Sequence, residues 1–236
     1  MRVITVFVGL LLGTLALADD HAPAPLGEGA FTTLMVQADD IGAYIDAVKA
    51  NTGPLEATGA GAAGSCITKS GNEYAGQMMI WSGFNSVAEA LSSMEKYDPF
   101  NAPAAFESLR TVKYSVTWKP LKPFKLDPGF ERVMRMEVDG ENQTNFVALI
   151  AKLEAAVRAE GYDINIGVFQ PIGGGAHEAS TLMVRAITQD GTTHGKIIDD
   201  AFAGASWMPM WRSALELADE MTTDTFEICD QFYTAG

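Results

Sequence analysis

The sequence has 236 residues, 47% of them hydrophobic, with 30 acidic against 16 basic side chains and a formal charge of −14. That charge repels nucleic-acid phosphates and anionic lipid headgroups, so no nucleic acid and no membrane surface is expected as a partner. The hydrophobic share is that of a chain able to pack a core and argues against general disorder.

The chain opens with Met1-Arg2, an apolar run from Val3 to Leu15, and Ala16-Leu17-Ala18 followed by Asp19-Asp20. The run is shorter than the ~20 apolar residues that span a bilayer, and a small-x-small site before acids suits a signal peptidase. The spacing predicts a signal peptide at 1–18, cleaved after Ala18, then a flexible leader at 19–29 that includes a Pro- and Ala-rich segment. A periplasmic or secreted location follows, with no membrane attachment once the signal is removed. The two cysteines, Cys66 and Cys229, then invite a disulfide, the alternative being two buried thiols.

Strand-like Phe31 to Val36 leads the first half. Asp39 or Asp40 can cap a helix whose apolar Ile41, Tyr44, Ile45 and Val48 fall on one face. Next comes Thr58 to Ile67, with a literal G-x-G-x-x-G at Gly59, Gly61 and Gly64. A dinucleotide fingerprint follows a strand and opens a helix; here the glycines follow a helix and lead into a strand, so a connection is expected and no cofactor. Ser65 to Thr68 and Tyr74 to Trp81 flank the turn Lys69-Ser70-Gly71-Asn72 as a hairpin. Ser86 and Glu89 have capping-box spacing before a helix with Val87, Ala90, Leu91 and Met94 on its buried stripe. Pro99 and Pro103 interrupt it, a short helix runs from Ala104 to Leu109, and Val112 to Trp118 alternates as a strand.

A Pro- and Lys-rich linker begins at Lys119. The second half repeats the order, with a strand at Arg132 to Val138 and a helix presenting Phe146, Leu149, Ile150, Leu153 and Val157. Strands at Ile164 to Gln170 and Thr181 to Ile187 enclose Gly173-Gly174-Gly175, which lacks the Lys and Ser/Thr of a phosphate loop. Asp190-Gly191 turns into a helix near Thr193 to Phe202, Pro209 breaks it, a short helix spans Trp211 to Leu217, and Thr225 to Phe232 closes the half as a strand. Each half therefore reads βαββαβ.

That order, with its proline-broken second helix, resembles the ferredoxin-like modules of the dimeric α/β-barrel superfamily. The superfamily includes antibiotic-biosynthesis-type and haem-degrading monooxygenases, NIPSNAP-like proteins, chlorite dismutases and dye-decolourising peroxidases. The resemblance covers almost the whole mature chain and implies an α+β protein whose two tandem modules, 30–121 and 130–236 about a linker at 122–129, close one intramolecular barrel. It also implies strand order 4-1-3-2 in each module, with the second strand of one beside the fourth of the other. Cys66 and Cys229 lie on those strands, so the resemblance implies a Cys66–Cys229 disulfide.

Chemistry-bearing residues are sparse. His21, His177 and His194 form no zinc-ligand pattern, and no metal is expected. Haem-binding relatives use a histidine on a helix; His194 stands only at a helix start, so no cofactor is expected. Trp207-Met208-Pro209-Met210-Trp211 reads as packing around a broken helix. Arg135, Arg185 and Asp230 fall on neighbouring strands of the implied sheet; alternation sets Asp230 on the face of Phe226, Ile228 and Phe232, where an arginine would have to pair it, as a structural ion pair or as a polar site in an apolar cavity. Asn72, Tyr74 and Trp81 are the residue types that the similar cofactor-independent monooxygenases place around an aromatic substrate. Two functions are weighed. One is a noncatalytic exported module that binds a small apolar or acidic molecule or assembles with copies of itself. The alternative is a cofactor-independent monooxygenase-like enzyme acting on a small apolar or aromatic compound.

Overall fold

A computed structural model describes residues 26–236, so the signal segment 1–18, its cleavage site and most of the 19–29 leader lie outside the described residues. Eight strands form where apolar alternation is strongest: β1 (Ala30–Gln37), β2 (Ala62–Ser70), β3 (Gln77–Phe84), β4 (Thr111–Pro120), β5 (Gly129–Glu137), β6 (Ile164–Ile172), β7 (Thr181–Thr188) and β8 (Glu220–Thr234). They close into one antiparallel barrel in which β4-β1-β3-β2 is followed by β8-β5-β7-β6, with β6 returning to β4. The fold is mixed α+β, with helices outside the barrel and side chains filling it.

Period-2 alternation sorts each strand into two faces. On β1, Phe31, Thr33 and Met35 turn into the barrel, while Leu34 and Val36 turn outward under the helices. The first-half helices are α1 (Ile41–Ala50), α2 (Gly53–Thr58), α3 (Val87–Ser93) and α4 (Ala104–Glu107). Asp40 caps α1, its carboxylate accepting from the Ala43 N–H at 2.9 Å, and Ser86 caps α3 by accepting from Glu89 N–H at 3.1 Å. The second-half helices are α5 (Gln143–Ala159), α6 (Gly175–Glu178), α7 (Gly191–Phe202) and α8 (Met208–Leu215). Asp190 caps α7 through Thr193 N–H at 2.7 Å.

Several local expectations are corrected. Residues 53–58 form α2, which sequence reading passed over; Pro54 sits in its first turn, where a missing N–H costs nothing. Pro209 likewise starts α8 instead of ending a helix. The Gly173–Gly175 stretch leads into α6. Lys119 and Pro120 belong to β4, and the Lys122 ammonium is buried against the Glu154 carboxylate at 2.5 Å, so this part of the linker is packed.

The glycine pattern has structural causes. Gly59 ends α2 in the left-handed region at φ 80°, which a side chain would resist. Gly64 lies within β2, where a Cβ would collide with the Asp230 carbonyl and with the indole of Trp81, which needs that space inside the barrel. The indole is buried beside Met35, Met79 and the two cysteines.

Candidate functional site

The outer face of β1, β3 and β4 and the helices α1 to α4 enclose an apolar groove of 340 Å³. Leu34 and Ile80 form its floor, and Val48, Leu55 and Phe106 line its helical side. Its polar wall is made by Arg110, Tyr44 and Tyr97. Arg110 enters just before β4 and donates one Nη1–H to the Tyr44 hydroxyl, while Nη2 donates to the Tyr97 hydroxyl at 3.3 Å and the Pro99 carbonyl at 3.2 Å. Tyr44 reaches this point because it lies on the inner face of α1, where it is fully buried.

Burial pushes the Tyr44 phenol above its ordinary range; the nearby Arg110 pulls it down, but burial wins, and the phenol keeps its proton at neutral pH. Both phenol oxygens accept from the guanidinium, and neither hydroxyl donates to an acceptor among the described residues. A polarised O–H pair on an apolar wall can hold a substrate oxygen that carries or acquires negative charge. Asp98 is the one carboxylate on the groove wall, its Oδ1 accepting from Phe100 N–H at 2.9 Å.

The residues singled out from sequence lie elsewhere. Arg185 and Arg135 point into the barrel. The Arg185 Nε and Nη2 meet Glu131 Oε2 at 2.7 and 2.6 Å; Arg135 meets Glu178 of α6 through two bonds at 2.9 and 3.0 Å, and Tyr114 donates to the same carboxylate at 2.8 Å. Asp230 does not join them. It faces outward, more than half exposed, and meets Lys49 at 3.3 Å. The face of β8 that turns inward carries Thr225, Glu227 and Cys229, and the apolar Ile228 is left 46% exposed. The disulfide explains the reversal: Cys229 is bonded to Cys66 inside the barrel, and alternation then turns Glu227 inward and Asp230 out.

Cys66 and Cys229 are direct cross-strand partners with their sulfurs joined, Cα atoms 4.0 Å apart, inside the barrel. Arg185 Nη2 reaches both sulfurs, at 3.4 and 3.6 Å. Both sulfurs and a Glu131 oxygen lie within 4.8 Å of one another, but the sulfurs are bonded and the guanidinium already supplies the cation, so the set does not suit a metal ion. Trp81 is core. Asn72 sits exposed in the β2–β3 turn, donating to the Tyr74 carbonyl at 3.2 Å, and the Tyr74 ring packs under Lys113 at 4.7 Å. Burial, then the adjacent Glu73, pushes the Tyr74 phenol up to about 12. The three residues therefore form no common pocket.

A second groove, of 270 Å³, lies between the outer face of β5, β6 and β7 and helices α5, α7 and α8. His194, in the first turn of α7, lines it between the rings of Phe130 and Phe226 at 5.6 and 5.7 Å. Burial first, and then Arg132, pull its imidazole down to about 4, so the ring is neutral at neutral pH. The residues here do not fit haem. Its propionates need free cations, and Arg132, the only cation on the wall, is bound at both ends by Asp224 at 2.8 and 2.6 Å. Thr188 Oγ1 stands 3.3 Å from His194 Nδ1 and holds the ring in the core.

Sequence reading missed Arg110, Tyr97 and the buried glutamates. One signal was present: Arg110 is the only arginine between Arg2 and Arg132.

No protein family and no curated protein matches the chain by sequence. Solved structures do match in three dimensions. An anthrone oxidase-like protein superposes with TM-score 0.60 over 89% of this chain and 97% of its own, at 8% identity. What the two share is the fold, a closed antiparallel barrel of eight strands with helices outside it. A candidate monooxygenase from Lactobacillus acidophilus NCFM matches at TM-score 0.55 and 10% identity, covering 88% of this chain and 96% of that one. A chlorite dismutase variant from Candidatus Nitrospira defluvii matches at 0.52 and 9%, covering 86% and 92%. At such identities the likeness extends to the fold alone.

Proposed function

We propose that this protein is a cofactor-independent, monooxygenase-like enzyme that oxidises a small apolar aromatic compound in the groove under α1 to α4. The observation that carries the reading is Arg110 bound to the hydroxyls of Tyr44 and Tyr97 on the wall of an otherwise apolar 340 Å³ groove. That volume lies at the small end of ligand sites, about 300–1,000 Å³. The names of two structural neighbours, anthrone oxidase-like and candidate monooxygenase, support the same class.

The chemistry follows from the wall. A substrate with an acidified aromatic CH₂ loses one proton to Asp98, and the resulting enolate oxygen is held by the two phenol O–H groups that Arg110 polarises. The carbanion passes electrons to dioxygen and forms a C–O bond, giving a hydroperoxide after protonation. Loss of the second C–H proton with O–O cleavage leaves a carbonyl and water. Overall, CH₂ and O₂ become C=O and H₂O, with dioxygen as the oxidant.

The remaining expectations complete the proposal. The halves 30–121 and 130–236 are two copies of one module joined at 122–129, and the chain is exported, cleaved after Ala18, and able to associate with copies of itself. A disulfide in the barrel supports export, because such bonds persist in oxidising compartments. Mass spectrometry of the natively processed protein should show a mature chain beginning at Asp19.

The test is to supply anthrone in air and follow oxygen uptake and quinone absorbance. Uptake that is lost in Arg110→Gln supports the reading. Saturable anthrone binding without oxygen consumption would replace it with the noncatalytic binding module.

A further inference from the structure

We propose that Glu131 and Glu227 share a single proton across the β5–β8 ladder, and that this proton makes the closed barrel sensitive to pH. The two residues are direct partners in register, both face the barrel interior, and they are 1% and 4% exposed. Directly opposed residues place their Cβ atoms about 4.5–5.5 Å apart, so two ionised carboxylates there repel in a medium that screens poorly.

Hydrogen-bond accounting points to the same state. Arg185 engages Glu131 through Oε2 alone; its own Nη1, Oε1 of Glu131 and Oε2 of Glu227 are buried without a partner among the described residues. Glu227 Oε1 has only long contacts, to Thr68 and Thr225 hydroxyls at 3.5 Å. A carboxylic acid O–H between the two residues satisfies both orphaned oxygens at once.

The interior charges also close only with that proton. Facing the pair are Arg185 from β7, Arg135 from β5, Glu178 from α6, Tyr114 from β4, Thr68 and Cys66 from β2, and Thr225 and Cys229 from β8. Tyr114 stays protonated, its phenol raised first by burial, and the disulfide does not titrate. Two guanidinium charges then meet three carboxylates, and one bound proton makes the interior neutral.

Burial raises Glu131 to about 7, with Arg185 opposing and Glu227 adding to the rise, and burial likewise raises Glu227. A carboxyl whose folded pKa exceeds its unfolded value makes a contribution to stability that is full below the unfolded pKa. That contribution is lost as pH rises from 4.5 through about 7. Deprotonation leaves an unpaired negative charge where β8 meets both β5 and β2, the join that ties the two halves of the barrel.

The test is infrared difference spectroscopy on the whole protein across this pH range, with unfolding by urea at each pH. Wild type should show the carbonyl stretch of a buried carboxylic acid that disappears on titration near neutral pH. Its folding equilibrium should fall by up to about tenfold per pH unit in that window, measured relative to Glu227→Gln. Glu227→Gln, whose amide can donate to Glu131 without a proton, should abolish the band and the relative slope. A wild type with no such band, a band that survives in Glu227→Gln, or equal slopes in the two proteins would overturn the proposal. If that variant does not fold, the wild-type band decides alone: its titration near neutral pH supports the shared proton and its absence refutes it.

Discussion

Arg110 donates a guanidinium N–H to the hydroxyl of Tyr44 although 66 residues separate them, and its charge stands 5.5 Å from the same ring. If those hydroxyls hold the substrate oxygen, Arg110→Lys should slow turnover more than it weakens binding, because a point charge cannot polarise both phenols at once. A loss of about 10²-fold in kcat with a small change in KM is the expected outcome, from steady-state oxygen uptake. Equal losses in both would mark the residue as a packing element.

His194 gives a second pH effect of the opposite sign to the glutamate pair. Its folded pKa, about 4, lies below its ordinary 6.5, so the fold binds fewer protons than the unfolded chain. The stability due to the neutral ring is full above 6.5 and is lost as pH falls toward 4. His194→Gln should remove this acid-side slope, which urea midpoints across that range will show.

Removing the disulfide with Cys66→Ser and Cys229→Ser should cost about 2–5 kcal/mol, since the bond closes a loop across a sequence separation of 163. Chemical denaturation of the double variant against wild type checks this.

Asp230 and Arg185 should behave as opposites. The Lys49–Asp230 pair is open to solvent, so Asp230→Asn should shift stability by less than about 1 kcal/mol. Arg185→Met leaves Glu131 without its cation inside the barrel and should cost about 3–5 kcal/mol at pH 8, and less at pH 5, where the carboxyl can take a proton. Thermal or urea unfolding at the two pH values separates them.

Gly64→Val should be among the most damaging single changes, because the added carbons meet the Asp230 backbone and the Trp81 ring. Soluble yield and melting temperature should fall together.

Much of the architecture was legible because it rests on local periodicity. The faces of α1 and α5, the caps at Asp40 and Ser86, the turn at Asp190 into α7, and the β2–β3 hairpin all follow from spacing within a few residues. The direction in which β8 faces was not legible. Phe226 and Ile228 suggest one side, but Cys229, bonded to Cys66 of β2 inside the barrel, faces inward and takes Glu227 with it, and no pattern within β8 records that tie. The Arg110 site was hidden for the same reason: Tyr44 reads as one more apolar step on a helix until tertiary packing brings a guanidinium to it.

The join between β2 and β8 bears on biosynthesis. During synthesis the outer edge of β2 stays without its neighbour until the segment carrying Cys229 has emerged, and an open strand edge invites pairing with other chains. Closure of β2 thus waits on β8, and a chaperone that shields β2 in the interval would raise yield more than one acting on the finished barrel.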